Sequence, residues 1–182
     1  MVALAKINSR SDLRKFIERD LQVRGLSKLP WFYRYRKPII YYTVTLRKVE
    51  YLKNCKNGVV NKLILKFMQL KLKRMGMKLG FSIAPNTFGP GLYLVHWGSV
   101  VISSEAQIGE NARVHSCVNV SRAPIIGNNV YLGPGAVVVG DISIGDNVSI
   151  GANSVVTTSL QDNVTVLGIP ARVVKVKNPI SE

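Results

Sequence analysis

Residues 108–156 read IGENAR VHSCVN VSRAPI IGNNVY LGPGAV VVGDIS IGDNVS IGANSV V when broken every six residues. An aliphatic residue opens every block. Extended back by one block, the series is Ile102, Ile108, Val114, Val120, Ile126, Leu132, Val138, Ile144, Ile150 and Val156, without exception. Neither the 3.6-residue turn of a helix nor the two-residue alternation of a strand produces this period. Gly follows the aliphatic residue at 109, 127, 133, 145 and 151. Small or β-branched residues stand four places after it, among them Ala106, Ala112, Val118, Ala136 and Val148. Short strands joined by tight corners satisfy all three rules. The aliphatic side chain points inward, the small one fits near a corner, and Gly is expected to relieve the backbone where it turns. Coils of this kind stack about 4.8 Å apart, and each buries its neighbour.

Outside this stretch the pattern changes. Before Gly80 the spacing is helical. SRSDLRKFIERDL predicts a helix capped by Ser11, with Leu13, Phe16, Ile17 and Leu21 on one face. KPIIYYTVTLRKVEYLKN predicts a second, opened by Pro38. VVNKLILKFMQLKLKRMGM is the plainest helix. It sets Val60, Leu63, Ile64, Phe67, Met68 and Met75 on one stripe, against Lys62, Lys66, Gln69 and Lys73 on the other. The apolar stripe is expected to pack on the neighbouring domain; lying on a membrane surface is the alternative. NTFGPG at 86–91 supplies the helix breakers expected where the coils begin.

The 182 residues are 47% hydrophobic and 19% charged, which describes a globular chain. Charge is divided unevenly. Residues 1–80 hold 20 Lys+Arg against 4 Asp+Glu, whereas residues 81–182 hold 5 against 6. The basic half suits an anionic partner or a solvated helical surface. No apolar run reaches the ~20 residues of a membrane span. MVALAKINSRSDLRKF has no core for a signal peptide, so a cytoplasmic location is expected. Cys55 and Cys117 suit no metal spacing and read as free buried thiols. No interleaved aromatic platform or motif for nucleic acid is present, so none is expected as a partner.

The hexads resemble the hexapeptide-repeat acyltransferases. Two further stretches sharpen that likeness. GPGLYLVHWGSVVISSEAQIG resembles the catalytic-His segment of serine acetyltransferases and their polysaccharide-modifying relatives. IGANSVVTTSLQDNVTVLGIPARVV resembles the closing coil of the same proteins. The resemblance implies an α+β chain. Residues 1–79 would form a basic α-helical N-terminal region. Residues 80–182 would form a left-handed parallel β-helix acyltransferase domain of eighteen-residue coils, with a C-terminal tail. The left hand comes from the resemblance alone, since crossovers between parallel strands are usually right-handed.

For acetyl transfer to a hydroxyl, a base must take the proton and the two substrates must be held together. Imidazole titrates near neutral pH and suits the task. The resemblance makes His96 the catalytic base. His115, one coil later, is the second catalytic candidate. His96 falls on an inward position of the grid, so a local insertion within GPGLYLVHWGS must turn it outward. Acetyl-CoA is implied as co-substrate along an outer groove between subunits. Gly133, Gly135, Ala136, Gly151 and Ala152 would let it approach the backbone, and Arg172 and Lys175 would meet its phosphates.

The departures from serine acetyltransferases concern the acceptor. Ser82 stands where their Asp partners the His, Val95 where an Asp precedes it, and Ala123 where a further His stands. These favour a sugar hydroxyl of a surface polysaccharide or its precursor, with Ser82, Tyr93 and Trp97 binding it. Serine O-acetylation for cysteine synthesis is the alternative, and a non-catalytic basic scaffold the third reading. A small-molecule or glycan acceptor, a homotrimer or hexamer, and peripheral contact with the inner face of the membrane through the basic half complete the expectation. Two His per chain do not supply the three ligands of a hexapeptide carbonic anhydrase, so no metal is expected.

Overall fold

A computed structural model of the chain describes residues 4–28 and 36–177. Three helices come first among these residues: α1 (Arg10–Gln22), α2 (Pro38–Cys55) and α3 (Val59–Leu79). The cap of α1 is Ser9 rather than Ser11; its side chain accepts from the Asp12 N–H. Pro38 opens α2 as expected. Gly80, in the left-handed conformation, closes α3.

Fourteen short strands follow, wound into a parallel solenoid of about five turns. Each coil visits three sheets in turn. The first holds β1 (Phe81–Ile83), β3 (Val100–Ile102), β6 (Asn119–Val120), β9 (Val137–Val138) and β12 (Val155–Val156). The second holds β4 (Gln107–Ile108), β7 (Ile125–Ile126) and β10 (Ser143–Ile144), extended by bridges at Phe88 and Leu160. The third holds β2 (Tyr93–Leu94), β5 (Arg113–Val114), β8 (Tyr131–Leu132), β11 (Ser149–Ile150), β13 (Val164–Gly168) and β14 (Ala171–Val176). All pairings are parallel except β13 with β14, which closes the end. The solenoid begins at Phe81, ahead of NTFGPG, which lies inside the first coil.

All ten period-six aliphatics are buried, and the core they fill continues into Tyr42, Leu46 and Val49 of α2 and Leu72 of α3. Partners lie eighteen residues apart through the middle coils, as with Val101 and Asn119. The glycines after the aliphatic residue serve a different end from the one expected. Gly109, Gly127, Gly133, Gly145 and Gly151 are not among the positive-φ residues. A Cβ on Gly133 would sit 2.8 Å from the Ile150 carbonyl oxygen and 2.9 Å from the Ala152 nitrogen of the next coil. They are glycines because adjacent coils touch there.

The left-handed turn falls mostly to Asn two places later, at Asn111, Asn129, Asn147 and Asn153. Asn111, Asn129, Asn147 and Asn163 form a ladder, each donating its side-chain N–H to the next, at 2.9, 3.1 and 2.9 Å. Both cysteines are free; Cys117 is exposed rather than buried, and Cys55 is half-buried.

Candidate functional site

The first coil is irregular where the sequence required it to be. Ile83, Phe88 and Leu94 occupy the inward positions aligned with Ile102, Ile108 and Val114. The chain then takes eight residues from Leu94 to Ile102 instead of six, so two extra residues bulge at the corner after β2. Leu94 takes the inward place the regular grid gives to position 96, and His96 is exposed. The Gly98 N–H donates to the Leu79 carbonyl and the Val100 N–H to the Gly80 carbonyl, at 2.9 Å each, fastening this corner to the end of α3.

His115 lies one coil away on the same prism edge. Its ring centroid is 6.1 Å from that of His96 and 5.2 Å from that of Tyr131. Its Nε2 is buried and has no hydrogen-bond partner among the described residues. Burial, helped by Arg113 and His96, lowers its pKa and favours neutral imidazole.

A stack of alternating cations and rings runs beside the pair. Arg24 lies 4.6 Å from the Tyr93 ring centre; Arg113 lies 5.3 Å from Tyr93 and 5.9 Å from Tyr131. Arg24 also donates to the Leu94 and Leu92 carbonyls at 3.0 and 3.3 Å. Burial lowers its pKa to about 10, with Asp20 and Tyr93 pulling the other way, so it is charged at neutral pH. Arg24, Arg36, Lys37, Tyr93, Val95 and Trp97 all line a groove of about 400 Å³ next to His96. Trp97 is exposed. Ser82 is elsewhere: it lines a second groove, between β1 and α3, with Leu72 and Met77.

The residues expected to hold acetyl-CoA divide. Gly133, Gly135, Gly151 and Ala152 occupy the same edge as His96, at the corners after β8 and β11. At about 4.8 Å per coil, Ala152 stands about 14 Å below the level of His96. Ala152 is exposed, but Ala136 is fully buried and Gly133 is buried, so neither Ala136 nor Gly133 presents a side to a ligand. Gly135 takes φ +69°, and a Cβ there would crowd Asn153. Arg172 and Lys175 are exposed on β14, at the end of the same sheet.

Sequence reasoning missed what holds the first coil in place. Arg47 of α2 is fully buried and spends all five donors. It donates to Asp20 of α1 at 2.8 and 3.2 Å, to Glu50 at 3.1 Å, and to the Phe88 and Gly89 carbonyls at 3.0 and 2.6 Å. Asp20 in turn accepts from the Gly91 and Leu92 N–H groups at 2.7 Å each, and Glu50 from that of Asn86 at 2.8 Å. Burial alone would lower the pKa of Arg47, but Asp20 and Glu50 outweigh it and hold the pKa above its ordinary value. The one signal in the sequence was Arg47 and Glu50, oppositely charged and three residues apart in α2.

The comparisons agree with this architecture. Bacterial transferase hexapeptide (six repeats) matches residues 123–158. Serine acetyltransferase of Staphylococcus xylosus is 40% identical over 105 residues, covering 53% of this chain and 49% of the relative. That of Synechococcus elongatus is 38% identical over 104 residues, covering 52% and 43%. The chain thus spans about half the length of the curated relatives it matches.

Among solved structures, serine acetyltransferase from Brucella abortus superposes with a TM-score of 0.71 at 25% identity, over 92% of this chain and 71% of that one. The same protein in complex with coenzyme A gives 0.72 at 26%, over 93% and 70%. Coverage above nine-tenths takes in the helices as well as the coils. Superposition also distinguishes hands, so the solenoid shares the left hand of these structures. These likenesses overturn the expectation of a polysaccharide O-acetyltransferase: the relatives named are serine acetyltransferases. Residues 123–158 thus carry the bacterial transferase hexapeptide repeat, and the coils of the whole chain are built like those of the serine acetyltransferase structures.

Proposed function

We propose that this protein transfers an acetyl group from acetyl-CoA to the hydroxyl of serine. The carrying observation is the exposed His96 imidazole at a bulged corner beside a groove lined by Arg24, Arg36 and Lys37. Such a groove complements the carboxylate of a free amino acid. The relatives' names, and a related structure holding coenzyme A, support the same reading.

The edge running down from His96 fits a long thin co-substrate. The small exposed Ala152 leaves it smooth, and Arg172 and Lys175 offer cations for phosphates at its far end. Acetyl-CoA, when bound, supplies the activated acetyl group. The chain's own residues do the rest. His96 takes the hydroxyl proton as the oxygen attacks, and the charged Arg24, with Lys37, holds the acceptor's carboxylate. Neutral His115 accepts a hydrogen bond or relays the proton through its unpaired Nε2. Trp97 and Tyr93 wall the groove. Ser82, in its separate groove, takes no part.

A homotrimer fits the edge, where Leu167, Ile169, Val173 and Val174 are exposed in the single chain. Among the described residues no helix is long and apolar enough to cross a membrane. Two free thiols support a reducing, cytoplasmic location. The change from helix at Leu79 to strand at Phe81 supports two regions, 1–79 and 80–182, although residues 178–182 of the tail lie outside those described.

The test is thiol release from acetyl-CoA with L-serine, run beside His96→Ala. The expected result is release that falls about 10²–10⁴-fold in the variant, with coenzyme A binding retained. Absence of serine-dependent release, or a variant as active as the parent, would overturn the proposal.

A further inference from the structure

The stripe read from α3 does not pack as expected. Met68 and Met75 are half-buried on the core, but Val60, Leu63, Ile64 and Phe67 are exposed, as are Val59, Leu70 and Met77. The helix instead buries Leu72 and Gly76 against the rest of the fold, with Leu65 and Leu79 partly buried beside them. Its outward face is therefore apolar along its centre, from Val59 through Leu63, Phe67 and Leu70. Lys62, Lys66 and Lys73 rim one side and Lys78 the other, and Arg74 sits on the centre line one turn beyond Leu70. Residues 56–80 contain seven Lys+Arg and no Asp or Glu.

The rest of the helical half does not neutralise this face. Of the four carboxylates in residues 1–80, Asp20 and Glu50 are buried on Arg47. Asp12 is engaged at the start of α1, which leaves Glu18 as the exposed, unengaged acid among the four. A second copy of this chain would bring like charge to like charge. An anionic bilayer offers both features that the face lacks: negative headgroups for the lysine rims and an acyl boundary for the apolar centre.

We propose that α3 is a membrane-docking element. It lies in the plane of an anionic phospholipid surface with Leu63, Phe67 and Leu70 inserted, and it holds the solenoid against that surface. This goes beyond the proposed acetyl transfer and does not depend on it.

The test is co-sedimentation of the full chain with vesicles. The expected result is binding to phosphatidylglycerol-containing vesicles, weak binding to pure phosphatidylcholine, and release at high salt. The double substitution Leu63→Ser and Phe67→Ser should weaken binding by tenfold or more, roughly the effect of withdrawing two partly inserted apolar side chains. Both residues are exposed, so circular dichroism and thiol release in solution should not change. Equal binding to neutral vesicles, no binding, or an unaffected double variant would each overturn the proposal. So would a fall in oligomer mass of the double variant in sedimentation equilibrium, which would assign the face to a second copy.

Discussion

Replacing Arg47 by methionine keeps the length of the side chain and removes five donors at once. Asp20 and Glu50 stay behind, 3% and 2% exposed, with no cation beside them. The Phe88 and Gly89 carbonyls lose their donors too. Breaking a buried ion pair from one side costs about 3–5 kcal/mol, because the remaining charge is left uncompensated. For a chain of this size that corresponds to a fall in melting temperature of roughly 6–20 °C. The assay is urea unfolding followed by circular dichroism, with parent and variant at one protein concentration because self-association would shift the midpoint. Arg47→Lys should recover only a small part, since one ammonium cannot reach two carboxylates and two carbonyls in fixed directions. A loss under about 1 kcal/mol for Arg47→Met would refute the claim that this cluster fixes the first coil.

Gly127→Ala places a Cβ 2.8 Å from the Gly145 carbonyl carbon and 2.9 Å from the Asp146 nitrogen. The backbone of the next coil must move, so a loss of about 1–3 kcal/mol is expected in thermal unfolding, whereas Gly25→Ala meets no atom within 4 Å and tests only backbone strain. His115 has a lowered pKa, so the folded chain binds fewer protons than the unfolded one as pH falls below about 6.5. Its contribution is therefore present above that pH and lost on acidification; His115→Gln should unfold with a smaller loss of stability between neutral pH and pH 5, and an identical pH slope in the two proteins would contradict this.

The coils were legible because their rule is local. An aliphatic residue every sixth place must point inward for any chain that stacks this way, and Ile102 to Val156 do so. The same rule exposed its own exception: His96 could not be buried unpaired, so two extra residues had to turn it out, and they lie between Leu94 and Ile102. The Asn ladder was present as a spacing but was overlooked, because Gly seemed sufficient to turn the corner. That reading put conformational freedom where close stacking was the actual constraint.

Other features could not be read along the chain. Arg47, Asp20, Glu50 and the carbonyls of Phe88 and Gly89 meet only after α1 and α2 fold over the open end of the solenoid. The outward side of α3 was equally hidden, since a helix with apolar residues on most of its circumference does not declare which side the core will take. Leu72 and Gly76 won the core because the small Gly76 lets α3 come close to Phe81 and Tyr42, a contact made by packing rather than by sequence period. The sequence by itself determined the prism and the outward turn of His96, both consequences of short-range geometry. Only the tertiary structure decided which charges are buried beneath that prism and which apolar face is left exposed, because both depend on contacts between residues far apart in the chain.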